Sequence, residues 1–91
     1  MEVNFLPRYL VNSAILKSGQ NPKACAEGAI KNLARGKING VEAKACYCCR
    51  GENRVAFVIE GPSQDVVLET LQEHLNIPVE SIWETEEVSA A

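Results

Sequence analysis

Val41-Glu42-Ala43-Lys44-Ala45-Cys46-Tyr47-Cys48-Cys49, then Arg50-Gly51-Glu52-Asn53, then Arg54-Val55-Ala56-Phe57-Val58-Ile59-Glu60 carries the clearest structural signal in the chain. Two runs rich in β-branched, aromatic and cysteine side chains flank a polar four-residue segment containing glycine, which is the pattern of a β-hairpin. The second run, Val55 to Ile59, is apolar at odd and even positions alike. A strand with one wet face alternates, so both faces of this strand ask for cover.

Lys37-Ile38-Asn39-Gly40 enters the hairpin from a helix that begins at Asn21-Pro22. Asn21 can cap free N–H groups, and proline suits the first helical position. Ala26, Ala29, Ile30, Leu33 and Ala34 recur at three-four spacing and predict one buried face, with the helix ending near Arg35 at Gly36. Upstream, Phe5 to Ser13 reads as a strand whose regular part starts near Arg8, because Pro7 cannot donate to a ladder. Downstream, Gly61-Pro62-Ser63 closes the hairpin and opens a second helix over about 63–75. Its inward stripe is Val67, Leu68, Leu71 and Leu75, and Asn76 before Pro78 can end it in the left-handed conformation. Val79 to Val88 supplies a last strand before a small polar tail.

The order β-α-β-β-α-β predicts an α+β, ferredoxin-like βαββαβ sandwich, built as a single domain over residues 1–91. Its antiparallel sheet would run in the order 4-1-3-2, with two helices on one face. The helices leave the other face bare, so the two-sided apolar strand three predicts a homodimer through the open sheet face. The alternative is that Ala56 and Val58 simply tolerate water.

All nine Lys and Arg residues lie at or before Arg54, and eight of the twelve acids lie from Glu60 onward. In a 4-1-3-2 sheet this becomes a basic flank and an acidic flank, and any side-by-side association of subunits should weaken with salt. The plainer reading is two solvated faces that differ in sign. A net charge of −3 with 5% aromatic residues is a poor match to phosphate, so nucleic acid is not an expected partner. The longest strictly apolar run, Val55–Ile59, falls far short of the roughly 20 residues that cross a bilayer as a helix. Cysteines at 25, 46, 48 and 49 do not form a secreted framework, and Met1-Glu2-Val3-Asn4 starts no signal segment, so the expected compartment is the reducing cytoplasm.

On a regular strand Cys46 and Cys48 share one face and Cys49 takes the other. The first two are then about 6.6 Å apart along the strand, not preset for a disulfide, and would need a bend to share one tetrahedral metal. They are either small packed side chains or soft metal ligands, with thiol redox a third use. Cys25 sits beside the stripe of helix one and reads as packed. His74, the sole histidine, lies near the end of helix two; it is a solvated imidazole unless it faces a cleft, where it would complete a metal set with Cys46 and Cys48. Tyr9 and Tyr47 can donate to a bound ligand from the sheet, and Glu60 can serve as ligand or base at the end of strand three. As structural residues they would be core tyrosines with hydroxyls at the margin and a solvated carboxylate. No nucleophile–base pair or phosphate loop is present.

Several segments resemble a family of small ferredoxin-like proteins of the dimeric α/β-barrel type that includes a nickel-binding member. They are Tyr9-Leu10-Val11, Tyr47, Glu60-Gly61-Pro62-Ser63 (Glu-Ala-Pro plus a polar residue in the family) and Asn76-Ile77-Pro78-Val79-Glu80-Ser81-Ile82 (Gly-x-Pro-x-Asp-x-Ile in the family). The resemblance spans roughly residues 8–88, and helix two is one residue longer than the family's. It implies a dimer that binds a small molecule or a transition-metal ion such as nickel. The wider fold group includes cofactor-free monooxygenases and small isomerases, which implies an alternative: an enzyme with a pocket between sheet and helices in which Tyr9, Tyr47 or His74 moves protons. Tyr9-Leu10-Val11-Asn12 and Arg54 to Val58 also loosely resemble the sheet motifs of the RNA-recognition motif, but Val55 and Glu60 stand where stacking rings are expected. The leading expectation is a small ligand- or metal-binding protein, followed by an enzyme and then by a protein or RNA interaction module.

Overall fold

The computed structural model describes residues 6–49, 51–86 and 88. Phe5, the hairpin residue Arg50, Glu87 and the tail from 89 onward, which the sequence reading also used, lie outside the described residues. Four strands, β1 (Arg8–Ser13), β2 (Glu42–Cys48), β3 (Val55–Glu60) and β4 (Val79–Thr85), form one antiparallel sheet in the order β2-β3-β1-β4. Helix α1 (Pro22–Asn32) joins β1 to β2, and α2 (Gln64–Glu69) joins β3 to β4. The architecture is therefore α+β, with the expected element order and strand order.

Alternation decides the two faces. Tyr9, Val11 and Ser13 of β1 and Val55, Phe57 and Ile59 of β3 are buried, and they share a core with Ala29 and Leu33 beside α1 and with Val67 and Leu71 beside α2. Both helices thus lie on one face of the sheet, α1 over β2 and β3 and α2 toward β4. Each of those large apolar side chains, fully buried, contributes about 1.5–3 kcal/mol, so this layer holds the fold together.

The helix ends follow local chemistry. Asn21 Oδ1 accepts from Ala24 N at 3.1 Å and Ser63 Oγ accepts from Val66 N at 3.3 Å, so both expected caps form. Helix α1 stops at Asn32, short of Arg35, and a 3₁₀ turn over Ala34–Gly36 follows with Arg35 and Gly36 at φ of 60° and 65°. Two left-handed residues in succession cannot continue a helix. Ile30, expected on the buried face, is 53% exposed. Ala26, Ala29 and Leu33 form the buried stripe, and Ile30 lies at its solvent edge. Helix α2 continues into a π turn over Thr70–His74, and Asn76 then adopts φ 55° while the Leu71 carbonyl accepts from Ile77 N at 3.0 Å. The π turn carries the chain from α2 toward β4. The last strand ends at Thr85 rather than reaching Val88.

Candidate functional site

Two surfaces and one seam carry the side chains singled out by the sequence. On the open sheet face, strand pairing arranges three rows. Thr85, Arg8, Glu60 and Glu42 form one; Trp83, Leu10, Val58 and Ala45 the next; Ser81, Asn12, Ala56 and Tyr47 the third. The outer rows are tied by polar contacts, Arg8 Nε to Glu60 Oε2 at 3.3 Å and Asn12 Nδ2 to Ser81 Oγ at 3.2 Å. The middle row is wholly apolar, and its Trp83 is 55% exposed, while Tyr47 on the opposite edge strand is 57% exposed. An apolar row rimmed by polar pairs is the pattern of an interaction surface.

On the other side of the molecule, between α1 and the turn that leads from α2 to β4, lies a cleft of about 310 Å³. Its α1 wall is Ala24, Cys25, Gly28, Ala29 and Asn32; Leu75 and Ile77 face them, and Gly19, Gln20 and Asn21 close one end. None of these residues carries a charge at neutral pH. The walls are small because α1 presents short side chains there. Gly28 is the telling position: a Cβ placed on it would meet only Asn32 Nδ2, at 3.8 Å. Glycine inside a helix costs about 1 kcal/mol relative to alanine, and no packing contact here requires it. Its absent side chain leaves the cleft open.

The seam joins α1 to β2. Cys46 and Cys48 do share a sheet face, the one under the helices, since they pair with Phe57 and Val55. Burial, and secondarily the neighbouring Cys48, push the Cys46 thiol from 9.0 to about 11. Burial likewise raises Cys25, against the lowering effect of a backbone hydrogen bond at Asn21. These thiols are protonated at neutral pH, and Cys25 and Cys46 pack against the core. His74 ends the π turn on the α2 side of the molecule, whereas β2 is the far edge of the sheet. Among the described residues no three His, Cys, Asp or Glu side chains gather where they could hold a metal. Cys46, Cys48 and His74 therefore do not fit the set that a nickel ion would need.

The remaining candidates are also dispersed. Tyr9 is buried on the helix side, where burial and then Glu84 raise its hydroxyl above 10.0. Tyr47 and Glu60 face the open side, but Tyr47 lies opposite Ala56 while Glu60 ends β3 four residues away, about 13 Å along the strand. Glu60 is held by Arg8. Tyr9, Tyr47 and His74, the proton carriers of an enzyme reading, occupy three separate places. The cleft itself escaped the sequence reading, and mid-helix Gly28 was the signal that marked it.

Comparison of the chain with protein-family models, with curated proteins and with solved structures finds no match. Among the described residues, no helix is long and apolar enough to cross a membrane.

Proposed function

We propose that this chain is a ferredoxin-like binding domain of the dimeric α/β-barrel kind, which holds an uncharged small molecule in the cleft beside α1. The observation that carries the reading is the 310 Å³ cleft with no charged side chain in its lining, kept open by Gly28 at a cost to helix stability. An apolar cavity of about 150 Å³ accepts benzene, so a space of this size suits a molecule of about two fused rings. The amide of Asn32 and the Nδ2 of Asn21 offer neutral hydrogen-bonding groups and no counter-ion, while Gln20 is tied to Lys17 N and Asn76 O and Asn21 Oδ1 to Ala24 N. An anionic or cationic ligand would lose its hydration without gaining a partner.

The same reading places a second copy over the open sheet face, where Leu10, Val58, Ala45 and Trp83 would leave water. Four strands of this length give a face about 20 Å by about 19 Å, about 400 Å² per partner and half of a standard interface, so the pair is a weak one. Four free thiols suit a reducing cytoplasm. A metal centre forms no part of the reading.

The test is NMR titration of the ¹⁵N-labelled chain with 2-naphthol and with 2-naphthoate as a charged control. The reading expects 2-naphthol to shift the amides of Ala24, Cys25, Gly28 and Asn32, naphthoate to do so far more weakly, and Gly28→Leu to abolish the response with its dispersed spectrum retained. Shifts confined to the sheet face, or equal responses to both probes, would overturn it.

A further inference from the structure

The structure supports a second self-recognition surface, apart from the cleft and competing with the open face for Trp83 and Ala45: the two edges of the sheet. Helix α1, the turn after it and β2 carry five Lys and Arg (Lys23, Lys31, Arg35, Lys37, Lys44) against two acids, Glu27 and Glu42. Helix α2, its π turn and β4 carry five acids (Asp65, Glu69, Glu73, Glu80, Glu84) and no Lys or Arg. The flanks lie on opposite sides of the sheet. Only Lys44, which meets Glu42 at 3.5 Å, and Glu80, which meets Arg54 at 3.2 Å, have ion-pair partners among the described residues. The two flanks are thus unneutralised and opposite in sign.

Backbone direction matches the charges. Strand β2 pairs only with β3 and β4 only with β1, so each has one unpaired edge among the described residues. Three antiparallel steps separate them, so β2 runs opposite to β4. A second copy shifted along the sheet would therefore bring its β4 against β2 as an antiparallel neighbour and continue the same sheet. Carried straight across, the rows place the neighbour's Trp83 opposite Ala45 and diagonal to Tyr47, and its Glu84 opposite Ala43, beside Lys44. The two most exposed aromatic side chains meet at one seam, and so do two opposite charges.

We propose that copies of this chain associate head to tail, the basic β2 edge of one against the acidic β4 edge of the next. The extra residue at Lys44 leaves β2 regular only over Ala45–Cys48, so the backbone contact is short and charge contributes much of the attraction. Such a contact is heterologous and closes into a ring or extends as a chain.

Sedimentation velocity of the wild-type chain in about 50 mM and about 500 mM NaCl, spanning a several-fold change in screening length, tests it together with Lys44→Glu and Glu84→Lys. The expected result is association at low salt that is lost at high salt. Each reversal alone weakens it about tenfold, and an equimolar mixture of the two variants restores it, because every junction again pairs opposite charges. Far-UV circular dichroism confirms that both variants are folded. A wild-type monomer at low salt, or a salt-resistant dimer indifferent to both reversals, overturns the proposal; the second result favours the face-to-face pair instead.

Discussion

Gly61→Ala adds one methyl group at the junction of β3 and α2, and its cost can be worked from the neighbours. The new Cβ would lie 2.6 Å from Val67 Cγ2 and 3.4 Å from Val41 Cγ2. Carbon atoms prefer about 3.5–4.0 Å, so the first contact overlaps by about 1 Å. Val67 is fully buried in α2 and β-branched, with one strongly favoured χ1 in a helix, and it cannot swing aside. The first turn of α2 must move away from the sheet, a strain of about 1–3 kcal/mol. Val67→Ala deletes the obstructing methyl and costs about 2–3 kcal/mol by itself through lost burial and the space left behind. In that background the Gly61→Ala methyl fills part of the vacated space. Gly61 has no positive φ, so alanine strains no backbone there. The second substitution should then cost nothing or stabilise, giving a double variant about 1–3 kcal/mol better than the sum of its parts. Urea unfolding followed by far-UV circular dichroism measures all four corners of the cycle. Costs that add to within about 0.5 kcal/mol would refute the steric account.

Gly28→Ala should stabilise the chain by about 0.5–1 kcal/mol, read as a rise of about 3–6 °C in thermal midpoint, because the helix gains propensity without a clash. Asn76→Ala should lose about 1 kcal/mol in urea and Asn76→Gly should lose none, since φ 55° is strained for a side chain unable to bond locally. Stability should fall as pH rises from 9 toward 11: the unfolded Cys46 thiol ionises first while the folded one, at about 11, keeps its proton, so the unfolded state binds fewer protons over that window. Urea midpoints of wild type and Cys46→Val across pH 8–11 check this, and the variant should show a shallower fall.

Much of the frame was legible because it rests on short-range rules. Asn21 and Ser63 have side chains that cap, Asn76 tolerates a left-handed backbone, and the alternating burial of β1 and β3 follows from the pleat. The strand order could be inferred because two split crossovers of this length have few ways to close. Misreadings arose where neighbours in space intervened. Ile30 fits the apolar period of α1, yet the buried stripe narrows to Ala26, Ala29 and Leu33 and Ile30 stays wet. Tyr9 and Tyr47 look alike in sequence, but Tyr9 points under the helices and Tyr47, on edge strand β2, points to the open face, so one is buried and the other exposed.

The candidate sites divide in the same way. The linear sequence determined the charge separation between its two parts, the one-sided placement of Cys46 and Cys48, and the two-sided apolar strand β3, because charge and side-chain parity are properties of the chain itself. It took the folded sheet to set Cys46 and Cys48 apart from His74, to leave Tyr9, Tyr47 and Glu60 without a common pocket, and to open a gap between α1 and the α2–β4 turn around Gly28. Those outcomes depend on which strands lie between two residues and how closely two helices approach, distances that arise only when the whole sheet has assembled.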